Sequence, residues 1–324
     1  MSRLLRDLHP QALHVMTWNI RRRIPLGGGR RADRWEIRRP RLQALVSTEK
    51  PTLLAAQEVL PDQECAILQA LGDSHRVIGL GRERDGTGEG CPVFYDASRL
   101  ELLGWRQRAL SETPERPGSI SWGNLFPRIS LHADFLDRRT QTRFHLINTH
   151  LDPLSARSRR HCAAALREAA AASALPCLIT GDFNAGPASD TLREFFRHGT
   201  LLDSWLAAEK RLSPEYATYA SYRPARTGLR IDGILTTPGI RVERVGINSA
   251  TVDGGWASDH LPVQAGLILP RPGPSGLSTH ESSAHDSPAP DSPASYSPAY
   301  RPGAPGPGEA GTSAPHLPPA NEGT

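Results

Sequence analysis

Cys177-Leu178-Ile179-Thr180-Gly181-Asp182-Phe183-Asn184 runs from apolar residues directly into two polar ones. The segment Cys177–Thr180 has the length and side chains of a buried strand. Asp182 and Asn184 are two apart, so in an extended segment both side chains face the same way. Gly181 and Gly186 permit tight turns. An ordinary Asx-type turn into a helix at Ser189–His198 accounts for the same residues. Four other places repeat the pattern: Thr17-Trp18-Asn19-Ile20, Gln57-Glu58-Val59, Asn148-Thr149-His150-Leu151-Asp152 and Ser258-Asp259-His260. Each sets Asn, Asp, Glu or His where a strand would end. Strand ends that converge on one edge of a sheet build a pocket.

Working outward, the apolar runs predict strands at Leu13–Trp18, Thr52–Gln57, Arg76–Gly79, Pro92–Tyr95, Leu100–Arg106, Ile129–Asp134, Arg143–Asn148, Cys177–Thr180, Arg230–Thr236, Arg241–Asn248 and Val263–Leu269. Helical patterns cover Trp35–Thr48, Asp62–Ala70, Leu154–Ala174 and Ser189–His198. Several strands are continuous apolar runs, which both faces of a covered sheet require. Helices interleaved with so many strands argue for two sheets packed together with helices outside.

The chain divides into a short N-terminal extension (residues 1–10), one domain (11–269) and a tail (270–324). The tail repeats Pro, Ser, Gly and Ala, as in Asp286-Ser287-Pro288-Ala289-Pro290, and is expected to be disordered because it has too little apolar surface to offset its ordering entropy. With 324 residues and 38% hydrophobic content, the chain can fill one sizeable core. No stretch approaches the ~20 apolar residues of a membrane helix, and Met1–Pro10 holds no apolar run of signal-peptide length. The expectation is a cytoplasmic, monomeric protein. Its four scattered cysteines form no CxxC and read as reduced thiols.

The net charge is +4; two Arg against five acidic residues after position 270 leave the preceding part at +7. Basic surfaces attract phosphate-bearing partners. Only Lys50 and Lys210 are lysines, so an arginine-rich composition bias explains the same excess.

Glu58 follows the apolar run Leu53-Leu54-Ala55-Ala56-Gln57. A carboxylate at the end of a buried strand needs a partner, either a hard divalent cation or an arginine. Asp232 lies inside Arg230-Ile231-Asp232-Gly233-Ile234-Leu235 and must also be paired; a histidine is an economical partner, since the pair fixes the imidazole tautomer. His260 beside Asp259 suits a general base or a metal ligand. A lone histidine here would read as a surface residue.

Together and in this order, the clusters are specific. The chain resembles the endonuclease/exonuclease/phosphatase superfamily over about residues 13 to 269. The resemblance implies a DNase-like fold of the α/β (α+β) class: a four-layer αββα sandwich, two packed, mostly antiparallel sheets flanked by helices. It also implies a hydrolase that uses Mg²⁺ or Mn²⁺ to cleave a phosphate ester, as a nuclease or a small-molecule phosphatase or phosphodiesterase, with nucleic acid among its possible partners. Asn19, Glu58 and Asp259 are implied around the metal. His150, Arg128 and Asn184 are implied on the substrate phosphate, with Arg128 the weaker match. Asp182 and Asn184 match the pair that handles nucleophile and oxyanion. Asp232 is implied to orient His260, the implied base, and Glu89 to orient His150. Gly90, Cys91 and Gly233 depart from the usual residues at positions implied to line the substrate pocket.

The arginines of Arg21-Arg22-Arg23, Arg30, Arg31, Arg34, Arg38 and Arg39 follow the Asn19 strand. They form either a funnel for a polyanionic substrate, on a loop made flexible by Gly27-Gly28-Gly29, or a solvated charge run, with Arg34, Arg38 and Arg41 on the outer face of a helix. The competing class of function, a catalytically inactive relative that binds a partner, requires broken site positions; Asn19, Glu58, His150, Asp182, Asn184, Asp232, Asp259 and His260 are all present.

Overall fold

Strand β1 (Leu13–Asn19) is buried along its whole length, as a central strand must be when a layer covers each face. The chain continues through α1 (Trp35–Glu49), β2 (Leu53–Gln57), α2 (Pro61–Leu71), β3 (His75–Ile78), β4 (Val93–Asp96), β5 (Leu100–Ala109) and β6 (Ile129–Asp137). Then come β7 (Thr142–His150), α3 (Ala156–Ala172), β8 (Cys177–Asp182), α4 (Asp190–Phe195), β9 (Leu202–Asp203) and α5 (Ser204–Ala207). The last are β10 (Lys210–Arg211), β11 (Asp232–Thr236), β12 (Arg241–Ile247) and β13 (Val263–Ile268). The computed structural model describes residues 2–24 and 30–270. The expected disordered tail beyond Pro270 and the Gly27-Gly28-Gly29 loop lie outside the described residues.

Every strand and helix expected from the sequence is present, with ends within about three residues. The short β9, α5 and β10 were not expected; elements of two to four residues carry no periodicity to read.

Among the described residues the strands form two sheets, one ordered β10-β12-β13-β1-β2-β4-β3 and the other β5-β6-β7-β8-β11-β9. Neighbours are antiparallel except β1–β2, β7–β8 and β10–β12. Helix α1 connects the parallel pair β1–β2, and α3 connects β7–β8. Each sheet thus has a β-α-β unit at its centre, and the two units end on the same pocket.

Three apolar cores define the layers. Leu13, Val15, Leu53, Ala55, Ala133, Phe135, Leu146, Leu178 and Ile234 pack between the sheets. Trp35, Leu42, Val46 and Ile67 of α1 and α2 cover Met16, Trp18, Leu54 and Phe94 on the first sheet. Cys162, Leu166, Leu192 and Phe195 of α3 and α4 cover Ile147, Ile179 and Leu235 on the second. The architecture is the four-layer αββα sandwich.

The period of two along a strand then places the site. Inward-facing positions change from apolar to polar along the central strands. Val15 leads to Thr17 and Asn19, Ala55 to Gln57, Leu146 to Asn148 and His150, and Leu178 to Thr180 and Asp182. Just behind the strand ends, a buried polar pair ties the sheets together: Gln57 donates to Asn148 Oδ1 at 2.8 Å and to Thr17 Oγ1 at 3.1 Å. Asn148 donates in turn to the Ala56 and Cys91 carbonyls at 2.9 and 3.0 Å. Gly181 is required by close approach, since a Cβ there would lie 2.3 Å from the Thr149 carbonyl oxygen on β7.

Candidate active site

The chain leaves the sheet edge abruptly after each of three core strands. Arg21, Glu58 and Asn184 follow β1, β2 and β8 with φ of 59°, 59° and 49°. Non-glycine residues in this left-handed region cost energy that the surrounding contacts must hold, and they gather at functional sites. The segment 258–260 is pinned to β1 from the other side. Ser258 Oγ donates to the Asn19 carbonyl at 2.7 Å, and Trp18 Nε1 donates to the His260 carbonyl at 3.0 Å.

These turns line a cavity of about 500 Å³ that contains Glu58, Glu89, Arg128, His150, Asp182, Asn184, Asp259 and His260. Asn19 and Asp232 sit in its wall: Asn19 Nδ2 donates at 3.0 Å to both Glu58 Oε1 and Asp182 Oδ2, while Asp232 begins β11 directly opposite Asp182. The structure therefore gathers Asn19, Glu58, Glu89, Arg128, His150, Asp182, Asn184, Asp232, Asp259 and His260 at one end of the sandwich.

Asp182 is the hub. Its Oδ2 lies 3.6 Å from His150 Nε2 and 3.8 Å from His260 Nε2, and its Oδ1 accepts the Asn184 backbone N–H at 2.9 Å. On the far side of the His260 ring, Nδ1 meets Asp232 Oδ2 at 2.9 Å, and the Asp232 backbone N–H donates to Thr218 Oγ1 at 3.1 Å. An Asp–His–Asp array results.

The electrostatics follow from burial and these pairings. Burial opposes protonation of His260, but the carboxylates of Asp232 and Asp182 outweigh it and raise the imidazole to about 10. Burial and the neighbouring Asp232 charge raise Asp182. Burial lowers His150, the Asp182 carboxylate opposing it. Burial would raise Glu58, yet His150, the Asn19 amide and the Arg22 backbone N–H hold it down at about 2. Asp259 is raised by burial, with Arg21 Nε 3.6 Å away.

A hard divalent cation fits these donors. Glu58 is held ionised with its carboxylate in the cavity, and Asp259 faces the same space. Asp232 Oδ1 is buried without a hydrogen-bond partner among the described residues. Ligand atoms of Asp182, Asp232 and His260 also lie within 4.8 Å of one another. That second group already contains the Asp232–His260 hydrogen bond and reads as an acid–base array. Asn19 Oδ1 accepts the Arg21 backbone N–H at 3.0 Å, and its amide nitrogen faces the carboxylates.

Three expectations are corrected. Glu89 does not contact His150; Arg82 holds it through a fork of 2.9 and 3.3 Å, with Arg22 at 3.2 Å, because a guanidinium satisfies both carboxylate oxygens at once. Gly233 does not line the cavity; a Cβ there would meet the Phe183 ring at 3.1 Å and Arg230 at 3.2 Å, so its neighbours exclude a side chain. The arginine run is not all of one kind: Arg30, Arg31, Arg34 and Arg39 are exposed, as a solvated run would be. Of the others, Arg21 and Arg22 line the cavity, Arg23 turns to Asp62 at 3.0 Å, and Arg38 is fully buried. Gly90 and Cys91 line a small adjoining cavity with Glu58, Arg128 and His150.

Arg128 is buried against Asp152 at 3.3 Å and lines both cavities. Asn184 donates from Nδ2 to the Leu151 carbonyl at 3.0 Å. Arg82 and Tyr219 were missed in the sequence. Tyr219 sets its ring edge-on to His260 with centroids 5.2 Å apart. It lies in an irregular segment without periodicity, and Arg82 was one arginine among many; no local signal marks either.

The comparisons with known proteins agree with this geometry. A crystal structure of an endonuclease/exonuclease/phosphatase family protein from Bacteroides thetaiotaomicron superposes with a TM-score of 0.74 at 27% identity, covering 81% of this chain and 99% of that one. A mannosyl-6-phosphatase from the same organism superposes at 0.72 with 27% identity, covering 79% and 100%. An uncharacterised protein of Acanthamoeba polyphaga mimivirus is 28% identical over 141 residues, which is 37% of this chain and about half, 47%, of that relative. The sequence signature of the Endonuclease/Exonuclease/phosphatase family matches residues 16–260, so the chain belongs to that family.

Proposed function

We propose that the protein hydrolyses a small-molecule phosphate monoester with a divalent cation, Mg²⁺ or Mn²⁺, by in-line attack of water. The observation that carries this reading is Asp182 Oδ2, set 3.6 Å from His150 and 3.8 Å from His260, with Asp232 behind His260 at 2.9 Å. Relatives in the family include phosphatases, and the similarity to a mannosyl-6-phosphatase supports a monoester. Arg22, Arg82 and Arg128 around the cavity suit a dianionic phosphate.

Glu58 and Asp259, with Asn19 supporting Glu58, would hold the cation. When bound, it supplies positive charge against the developing charge on the phosphoryl and leaving oxygens, and offsets carboxylate charge that holds a proton on His260. Asp182 and His260 share the proton taken from water; the two titrate as a pair rather than as separate groups. Asp232 fixes the His260 ring so that Nε2 faces Asp182. His150, Arg128 and the Asn184 N–H not given to Leu151 donate to the phosphoryl oxygens. Charge stabilisation and positioning supply most of the acceleration.

The test is a panel of sugar phosphates, nucleotides, phosphodiesters and DNA assayed with Mg²⁺ and Mn²⁺. Monoesters are expected to turn over, and His260→Ala is expected to lose at least ~100-fold in rate. Wild-type rates in that variant, or no turnover of any substrate, would sink the reading. Turnover of diesters alone would reject the monoester and leave the phosphoesterase.

A further inference from the structure

The central strands begin at a second cavity. Its volume is about 460 Å³, and its lining comes from the N-terminal segment, the start of β1, the residues before β2 and β5, and the β6–β7 turn. It lies one strand length, roughly 20 Å, from the candidate active site. Five cationic side chains line it, those of Arg3, Arg6, Lys50, Arg99 and Arg139, and Asp7 is the one carboxylate among its lining residues.

The N-terminal segment that carries three of these charged residues is clamped in place. Leu5 is buried, and Leu4 and Leu8 sit against Gly246 and Gly266 of β12 and β13. The Leu4 backbone N–H donates to Glu49 at 3.0 Å and that of His9 to Glu243 at 3.0 Å, while the Arg6 carbonyl accepts from Arg244 at 2.8 Å. The charges are therefore presented by a fixed backbone.

Structural duties use only part of this charge. Arg99 is committed: it pairs with Asp137 at 3.1 Å and donates to the Ala12 and Gln11 carbonyls at 2.7 and 2.9 Å. Arg3, Arg6 and Arg139 each spend one nitrogen on a backbone carbonyl, of Thr48, Arg3 and Pro10 respectively. The Lys50 ammonium has no hydrogen bond or ion pair among the described residues. With Arg99 neutralised by Asp137, Arg3 beside the Glu49 carboxylate and one further charge offset by Asp7, about two positive charges remain around the cavity. Such a concentration repels itself unless an anion shares it. Arg3 and Arg6, bonded only through Nε among the described residues, keep their terminal N–H donors, which match the oxygens of a phosphoryl group. The candidate active site differs, because its arginines alternate with Glu58, Glu89, Asp182 and Asp259.

We propose that this cavity binds a compact phosphate-class anion of two or more negative charges, of the kind represented by inorganic pyrophosphate. The site is independent of catalysis and needs no metal.

The test is calorimetric titration of the full chain with inorganic pyrophosphate in metal-free buffer. The comparison is between wild type, the double variant Lys50→Gln/Arg6→Gln and an active-site double variant, Arg22→Gln/Arg82→Gln. Binding should persist in the active-site variant and weaken by ~10-fold or more in Lys50→Gln/Arg6→Gln, as expected for lost hydrogen bonds from charged groups. Lys50→Gln alone, which removes no hydrogen bond of the fold, should weaken it in the same direction. Equal affinity in wild type and Lys50→Gln/Arg6→Gln would overturn the proposal, as would loss of binding in the active-site variant. A parallel titration with a single-stranded oligonucleotide adds a further outcome. Oligonucleotide binding through Lys50 and Arg6 without pyrophosphate binding would reject the compact anion in favour of a nucleic-acid surface.

Discussion

His260 Nδ1 meets Asp232 Oδ2 at 2.9 Å, and the second oxygen of Asp232 is buried without a partner among the described residues. The carboxylate charge is thus spent largely on one imidazole, which it helps raise to about 10. Asp232→Asn keeps the shape and removes the charge. In the metal-free protein the His260 ring should then titrate at least a unit lower, toward its ordinary 6.5, when followed by NMR. Turnover should fall by roughly 100-fold or more, since the ring loses both its orienting partner and its charge balance. An unmoved His260 titration would remove Asp232 from this role.

Glu58 is held near a pKa of about 2 by His150, Asn19 and the Arg22 backbone, against the cost of its burial. A side chain so strongly kept ionised is the firmest of the proposed metal ligands. Glu58→Gln is nearly isosteric and should abolish the rise in melting temperature produced by Mn²⁺ or Mg²⁺. The apo protein should still fold, because the amide oxygen keeps one of the two hydrogen bonds, from Asn19 Nδ2 or from the Arg22 backbone N–H. An unchanged metal-induced shift in that variant would place the cation elsewhere.

The ends of the core strands were legible because each apolar run stops at a polar cluster: Cys177–Thr180 leads directly into Asp182. The end of each apolar run likewise located Asn19, Glu58 and His150. Partner choice was not legible. Glu89 and His150 both face the cavity, and nothing in their spacing says that Arg82, seven residues before Glu89, captures the carboxylate first. Arg38 shows the other limit. Helical periodicity places it on α1 but cannot tell a guanidinium facing solvent from one buried beneath three loops.

That guanidinium supports a prediction of its own. Arg38 is fully buried and donates to the carbonyls of Asp33, Ile20, Ala257, Arg21 and Arg22 at 2.9–3.2 Å. It thereby joins the turn after Asn19 to the segment that leads into Asp259 and His260. Lysine cannot reproduce this fork. Arg38→Lys should destabilise by about 3 kcal/mol or more, because several buried carbonyls lose their donor. The melting temperature should fall by roughly 6–12 °C for a domain of this size. Activity should drop even at temperatures where the variant is folded. A variant as stable and active as wild type would show the fork to be dispensable.

Two buried imidazoles outside the candidate active site weaken the fold in acid. Burial lowers His14 to about 4 and His132 to about 3; Arg3 adds to the first effect, and His145 and two arginines to the second. In the unfolded chain both take a proton near pH 6.5. On acidification the unfolded state therefore binds protons first, and stability falls from about pH 6.5 downward until the folded values are passed. Each group should cost about 2 kcal/mol at pH 5 relative to neutral pH. His132 bridges Ser130 Oγ at 3.0 Å and His145 at 3.3 Å, so His132→Gln keeps a polar group in place while removing the titration. The melting temperature of wild type should fall more between pH 7.5 and pH 5.0 than that of His132→Gln, by roughly 4–8 °C. Identical pH dependence in the two proteins would mean that another group governs acid stability.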